Sequence, residues 1–340
     1  MEIKERETNL EYLRIICMIM IVAGHSITHS VHADIPRSFN GMIAIILTQG
    51  ARIAVNIFVM ITGYFSVGKT VHWIKIRRQY LQIWIYSVFI TGIVFALGEV
   101  SLGFKTVISV LVPVSSSQYW FATCYILLLL INPCLQICIE KLSEKQLRTI
   151  LITFGIFWCI MPTLLVGAPG YSEFGWLAYI YLLAAYIRIY PLSIMSKIKI
   201  WHGIIIFLSI CTLAIGTYFY GYSSMFLRNN AIYLYAEMNR IPAVVCAVIL
   251  FLGFKNWNCK YSEFVNKVAM CTFGVYLFHD NPQIRECLWI NILKVEKSLS
   301  SPLFVPYIML CIAGIFAVGI VLEWYRQYLE TTINNLCRKK

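Results

Sequence analysis

Two residues that can do chemistry stand inside an apolar stretch near the start of the sequence. Residues 9–30 read NLEYLRIICMIMIVAGHSITHS and contain Arg14 and His25, which are both costly inside lipid. Their separation of eleven residues places them on a helix about 20° apart around the axis and about 16.5 Å apart along it. An imidazole can act as a general base near neutral pH, and a guanidinium binds phosphate. The shared face favours these roles over a packing histidine and an arginine that reaches the inner membrane surface.

Two other apolar stretches also carry costly polar residues. In GARIAVNIFVMITGYFSV, at 50–67, Arg52 lies near mid-bilayer and must face a cavity or a partner, and Asn56 lies one turn away on the same face. In YAEMNRIP, Glu237 and Arg240 are three residues apart and can pair with each other. We expect Asn56, Glu237 and Arg240 to contact a substrate.

The sequence CTFGVYLFHDNPQIRECLW, at 271–289, holds the densest group of polar residues at membrane depth. His279 and Asp280 fall in its outer half, where we expect them to line a cavity and bind substrate. Pro282 then predicts a kink within a continuous helix. The alternative is a helix that ends near Phe278.

A basic run, KTVHWIKIRR at 69–78, follows the second apolar stretch. Its residues Lys75, Arg77 and Arg78 are candidates for binding an anionic cofactor, together with Arg14 and Arg52. Because this run and Arg14 lie at the inner side and the other polar residues lie deeper or at the outer side, the pattern predicts a polar path through the membrane.

The composition shows which elements must position these residues. Of 340 residues, 59% are hydrophobic and 13% are charged, which predicts an all-α, polytopic membrane protein. The single domain covers 1–340, with a membrane core at about 9–330. Ten runs are long enough to cross a bilayer: 10–30, 42–66, 80–98, 119–139, 149–167, 174–190, 201–221, 231–253, 268–290 and 303–325. The first run has no cleavage pattern and is expected to be retained.

The loops between these runs orient the chain. With a cytoplasmic N-terminus, nineteen Lys and Arg residues lie in inner loops and six in outer loops. This asymmetry predicts that both termini are cytoplasmic. The net charge of +12 is therefore a topology signal, and we expect membrane lipids around the chain and no nucleic-acid partner. The twelve cysteines form no CxxC pair, which argues against disulfides and a zinc site, and we expect no metal.

Five segments together resemble the acyltransferase-3 family of integral membrane acyltransferases, in particular the branch that O-acetylates bacterial surface polysaccharides. They are LRIICMIMIVAGH, ARIAVNIFVMITGYF, YWFATCYILLLLINP, GWLAYIYLLAAYIR and FGVYLFHDNPQIRECLW, in the family's order and spread over the chain. The first reproduces the family's arginine, ten residues, histidine pattern. The third contains Trp120, which we take as a candidate substrate contact.

The resemblance implies an enzyme of the bacterial plasma membrane that uses acetyl-CoA as donor and acetylates a carbohydrate hydroxyl. By position, His25 matches the family's essential histidine and Arg14 its paired arginine. The family often has two basic residues three apart after the second span, followed by an isoleucine and a proline. Here IRRQYLQIW has Gln82 at the second basic position and no proline, so the donor roles of Lys75, Arg77 and Arg78 stay open.

The residues leave the mechanism and one other function class open. His25 acts either as general base or as a transient acetyl carrier, and Arg52 or Arg240 can stabilise an oxyanion. The pantetheine arm of coenzyme A spans about 15 Å, which is close to the separation of Arg14 and His25. The alternative class is a transporter or flippase for lipid-linked sugars, whose buried charges would line a path. The acceptor, the acyl length and the oligomeric state are not determined by the sequence.

Overall fold

The structure of the chain is a computed structural model that describes residues 7–32, 34–99, 103–221, 224, 230 and 233–338. Over this part of the chain, every regular element is helical and none is a strand. The basic residues predicted at positions 4, 6, 228, 339 and 340 lie outside the described residues.

The N-terminal half contains three long helices followed by shorter ones. They are α1 (Thr8–Thr28), α2 (Phe39–Ser66), α3 (Trp73–Ala96), α4 (Phe104–Leu111), α5 (Trp120–Leu130), α6 (Asn132–Lys141) and α7 (Glu144–Thr163). The hydroxyl of Ser38 caps α2 by accepting from the amide of Gly41 at 3.2 Å. The axes of α5 and α6 differ by 55°, with Pro133 in the first turn of α6.

The C-terminal half contains α8 (Glu173–Ile189), α9 (Ile200–Tyr220), α10 (Ile241–Lys255), α11 (Glu263–His279), α12 (Val295–Ser298) and α13 (Phe304–Arg338). A π-helical turn at Cys287–Ile292 lies between α11 and α12. Ser262 caps α11 by accepting from the amide of Val265.

Six helices are long and apolar enough to cross a membrane by length and composition: α1, α2, α3, α7, α9 and α13. The bent pair α5 and α6 would make a seventh if it counts as one span. The helices α8, α10 and α11, with 17, 15 and 17 residues, fall on the other three predicted runs but are shorter than a standard crossing.

Two predicted spans have different boundaries in the structure. The run 231–253 is helical at 233–234, turns at 235–240 and enters its long helix at Ile241, because Pro242 fits the first turn of a helix and not its interior. The run 268–290 starts earlier, at Glu263, and its helix ends at His279. The expected continuous helix kinked at Pro282 is therefore wrong, and Asp280 lies at the C-terminal end of α11.

The core is built around α1, which packs against α2 on one side and α11 on the other, while α13 packs against α11. The hydroxyl of Thr8 at the start of α1 donates to Asn266 at 3.2 Å, near the start of α11. Gln327, near the end of α13, approaches Cys271 of α11 at 3.9 Å. The first and the last described helices therefore bring their terminal ends to the same end of the bundle.

Candidate active site

A single cavity of about 780 Å³ runs along one face of α1. Arg14, Met18, Ile21 and His25 all line it, and their spacing of four, three and four residues follows one side of a helix. The shared face expected from the spacing of Arg14 and His25 is present in the structure. One cavity therefore contains both the arginine and the histidine.

The end of the cavity nearest the chain termini is positively charged. Arg14, Lys69, His72 and Lys75 line it there, and these four residues are named the basic mouth. Arg14 also contacts the carboxylate of Glu11 at 3.4 Å, which holds its guanidinium near the start of α1. The basic mouth thus offers three fixed cations to an anionic ligand.

At the far end of the cavity lies a histidine cluster made of His25, His29, His279 and Asp280, all of which line the cavity except the fully buried His279. Nδ1 of His25 lies 3.1 Å from Nε2 of His279 and 3.6 Å from Oδ1 of Asp280. Nε2 of His29 lies 3.0 Å from the same carboxylate oxygen. Arg285 approaches that carboxylate at 3.9 Å. The carboxylate therefore has three nitrogen neighbours at the wall of the cavity.

The hydrogen bonds of the cluster determine which nitrogen of His25 is free. A carbonyl oxygen only accepts, so Nδ1 of His279 donates to the carbonyl of Val275 at 2.6 Å. In a neutral ring, Nε2 of His279 then carries the lone pair, and Nδ1 of His25 must donate to it. Nε2 of His25 is consequently unprotonated. That atom is the one that can accept a proton or attack a carbonyl.

Two helix ends meet at this cluster. His25 stands in the last turn of α1, and His279 is the last residue of α11. The C-terminal end of a helix carries partial negative charge, which favours a nearby cation. Together with Asp280, both ends would stabilise an imidazolium on His25 once it has taken a proton.

The same cluster has the composition of a metal site. Ligand atoms of His25, His29 and Asp280 lie within 4.8 Å of one another, and two histidines with one carboxylate can bind a transition metal. The contacts between these side chains already use the nitrogens concerned. The expected absence of a metal stays a prediction.

Arg52 and Trp120 also line the cavity. The guanidinium carbon of Arg52 lies 5.4 Å from the centre of the Trp120 ring, a cation–π distance. Nε of Arg52 lies 3.6 Å from Glu237. Glu237 therefore pairs with Arg52, and among the described residues no ion pair joins it to Arg240. The pair expected from their spacing does not form, because residues 235–240 are turns and bends and Glu237 pairs with Arg52 instead.

Six predicted residues do not line this cavity: Asn56, Arg77, Arg78, Glu237, Arg240 and His279. Asn56 is fully buried, where it donates to the carbonyl of Met238 at 2.7 Å and accepts from Trp176 at 2.9 Å. Arg78 pairs with Glu330 of α13 at 2.9 Å. Arg77 is exposed, and Arg240 lines a second cavity. Glu237 pairs with Arg52, and the buried His279 contacts His25 without lining the cavity itself. Of the predicted basic run, the cavity includes Lys75 alone among Lys75, Arg77 and Arg78.

Several cavity residues were not singled out from the sequence. His29 could have been found, because it follows His25 by one helical turn in GHSITHS. Lys69 and His72 lie within the basic run, but nothing in the sequence distinguishes them from its other basic residues. The aromatic wall of Phe121, Tyr125, Phe273 and Tyr276 had no sequence signal, because aromatic residues are frequent throughout this chain.

Comparison with known proteins gives one match. The model of a family described as an acyltransferase domain, acyltransferase-3, matches residues 7–324. No curated protein and no solved structure matches the chain at a significant level. The matched range contains every residue of the cavity and of the histidine cluster.

Proposed function

The chain belongs to the acyltransferase-3 family, whose members are membrane acyltransferases, and we propose that it transfers an acetyl group from acetyl-CoA to a hydroxyl of a surface carbohydrate. The proposal assigns the enzyme to the bacterial plasma membrane. The donor, the acceptor and the role of His25 are parts of this proposal.

The observation that carries it is the continuity of the cavity from the basic mouth to His25 along α1. A donor whose phosphates bind at Arg14, Lys69 and Lys75 has its thioester about 15 Å away at the end of the pantetheine arm. Arg14 and His25 are about 16.5 Å apart along the helix. The reacting group of acetyl-CoA would therefore reach His25 while its phosphates stay at the basic mouth.

The proposed reaction uses the free nitrogen of His25. Nε2 takes the proton of the acceptor hydroxyl as its oxygen attacks the thioester carbonyl, and the carbonyl electrons move to an oxyanion. When the oxyanion collapses, the carbon–sulfur bond breaks, and the thiolate takes the proton from His25 to leave as coenzyme A. Arg52 is a cation at the cavity wall that can stabilise the oxyanion. In the acyl-histidine alternative, Nε2 attacks the thioester carbonyl and the carbon–sulfur bond breaks, which releases the coenzyme A thiolate. The acceptor hydroxyl then attacks the acetyl carbon, the carbon–nitrogen bond breaks to regenerate His25, and the hydroxyl proton passes to the thiolate.

The experiment that tests the function is His25→Ala with His202→Ala as the matched control. His202 is half-buried on α9, where it bonds to the backbone of Lys199 and stacks on the ring of Trp201, and it lines neither cavity. We expect purified wild type and His202→Ala to release free thiol from acetyl-CoA in the presence of a membrane glycan extract. His25→Ala should lose about 10²–10⁴-fold. Retention of more than about a tenth of the activity would remove His25 from the chemistry, and no thiol release by wild type would favour the transporter class.

We also propose ten crossings with both termini cytoplasmic, which adds α8, α10, α11 and the bent α5–α6 pair to the six long spans. The charge asymmetry of the loops supports this orientation. Cys259, between α10 and α11, should react with an impermeant thiol reagent only from the cytoplasmic side. A cysteine placed at Lys105, with Cys259 replaced, should react only from outside. The predicted outer loop at 222–230 falls largely outside the described residues.

Comparison of surface glycans from cells with and without the gene would identify the acceptor. The sugar that loses its O-acetyl group when the gene is absent would be the acceptor. Unchanged glycans would direct the search to small-molecule acceptors.

A further inference from the structure

A second cavity, of about 380 Å³, lies beside the 233–240 segment and the C-terminal end of α7. Pro162 and Leu165 form its apolar side, and Asn239 and Arg240 form its polar side. Tyr233 lines both this cavity and the larger one. The two cavities are therefore neighbours separated at that ring.

None of the described residues that line this cavity is acidic, and Arg240 makes no ion pair with a described residue. Its Nε and Nη1 atoms are buried and make no hydrogen bond. The nearest acidic residue in sequence, Glu237, is paired with Arg52. The adjoining sequence from 222 to 232, YSSMFLRNNAI, contains no Asp or Glu that could supply a carboxylate. Arg240 as a whole is half-buried, but guanidinium nitrogens that lose water are unfavourable unless an anion compensates them.

The surrounding backbone strengthens the preference for an anion. Helix α10 begins at Ile241, directly after Arg240, and has no acidic residue in its first turn. The N-terminal end of a 15-residue helix carries partial positive charge. The buried side chain of Asn239 also lines the cavity and has an amide that can donate. All three features favour the same kind of ligand.

We propose that this second cavity binds an anionic group, a carboxylate or a phosphate, of the acceptor. The inference rests on the proposed transferase function and narrows its acceptor to an acidic or phosphate-bearing carbohydrate. An acceptor held at Arg240 would extend past Tyr233 toward Arg52 and His25 in the larger cavity. Arg240 would thus select and orient the acceptor at a distance from the reacting atoms.

The test measures binding, without any need for transfer. Purified protein in zwitterionic nanodiscs is melted with glucuronate, glucose 1-phosphate or glucose, for wild type, Arg240→Gln, Arg240→Lys and the control Lys105→Gln. Lys105 is an exposed cation of α4 that lies on neither cavity. At saturating ligand we expect one of the two anionic sugars to raise Tm by about 3 °C in wild type and Lys105→Gln. Neutral glucose should leave the Tm of both proteins unchanged.

Arg240→Gln should abolish this shift, and Arg240→Lys should keep part of it because the charge remains while the planar donor set is lost. Whether glucuronate or glucose 1-phosphate is effective separates a carboxylate from a phosphate. A shift for an anionic sugar only in nanodiscs free of anionic lipid would show that a lipid headgroup competes for the same site.

Equal shifts in wild type and Arg240→Gln, or no shift with either anionic sugar, would overturn the proposal. If Arg240→Gln does not fold, Arg240→Lys is the deciding variant. Loss of most of the Tm shift in Arg240→Lys supports the proposal, and a shift equal to that of wild type overturns it. An Arg240-dependent shift in a protein that releases no thiol from acetyl-CoA would keep the anion site and reject the transferase. Thiol release from acetyl-CoA without any Arg240-dependent shift in Tm would keep the transferase and reject the anion site.

Discussion

His25 depends on His279 for the nitrogen that it presents to the cavity. Gln at position 279 can place its amide oxygen near the position of Nε2 and still accept from Nδ1 of His25, whereas Asn is too short to do so. We expect His279→Gln to keep most of the transfer activity. His279→Asn should lose roughly 10²-fold, because His25 can then adopt the tautomer with a protonated Nε2. Initial rates at saturating acetyl-CoA check this.

A merely structural role for His279 gives a different result. In that case both variants would melt at a lower temperature and lose activity in parallel. Positioning predicts instead that they fold equally well and that the pH profile of kcat changes for His279→Asn alone. Equal losses of activity at unchanged Tm would show that the hydrogen bond to His25 has no part in the reaction.

The sequence identifies these residues singly but does not pair them. Arg14, His25, His279 and Asp280 stand out because each is costly in lipid. The contact between His25 and His279 joins positions 254 residues apart, and it exists only because α1 packs against α11. The hydrophobic periodicity of a single segment cannot predict which residues of two distant helices come into contact.

At the scale of elements, the position of α11 is set by its close contact with α13. A Cβ added to Gly319 of α13 would lie 2.8 Å from Cα of Val275, whose carbonyl accepts from His279. Gly319→Ala should therefore push the helices apart, lower Tm by a few degrees and reduce transfer. Gly314→Ala on the same helix faces open space and should leave both unchanged or raise Tm slightly. A Gly319→Ala protein that melts and reacts like wild type would contradict this packing.

Helix periodicity also explains why one residue of the basic run reaches the cavity. Lys75 and Arg77 are about 200° apart around α3, so Lys75 lines the basic mouth and Arg77 is exposed on another face. We expect Lys75→Ala to weaken acetyl-CoA binding about tenfold by removing a charge-assisted contact to phosphate. Arg77→Ala removes one positive charge from the same part of α3 and should have little effect on acetyl-CoA binding. Calorimetric titration with coenzyme A measures both, and equal weakening would mean that net charge alone attracts the donor.

Helices were easier to predict than their ends. Each of the ten apolar runs overlaps at least one helix, because an apolar run of that length leaves few other structures. The errors lie at 231–253 and 268–290, where polar residues at depth were read as parts of a span. In the structure these residues belong to turns that line cavities, and non-helical backbone is tolerated there because it is shielded from lipid.

Over the whole molecule, the two ends of the cavity differ in chemistry. The basic mouth lies at the end of the bundle that contains the chain termini, and the histidine cluster lies about 16.5 Å further along α1. An anionic donor is expected at the first end and a hydroxyl acceptor at the second. This arrangement would let the two substrates approach from opposite faces of the membrane.

Arg14→Ala and Asp280→Ala test that two-sided arrangement. Arg14→Ala should weaken acetyl-CoA binding, because it removes a cation of the basic mouth. Asp280→Ala should leave donor binding nearly intact and lower transfer, because the carboxylate holds His29 and lies 3.6 Å from His25 at the far end. Donor affinity and transfer rate are measured on the same purified preparations, with Tm as the check on folding. If Asp280→Ala costs as much donor affinity as Arg14→Ala at unchanged Tm, the donor occupies the full cavity. The histidine cluster would then belong to one mixed site, and the acceptor would need another route to His25.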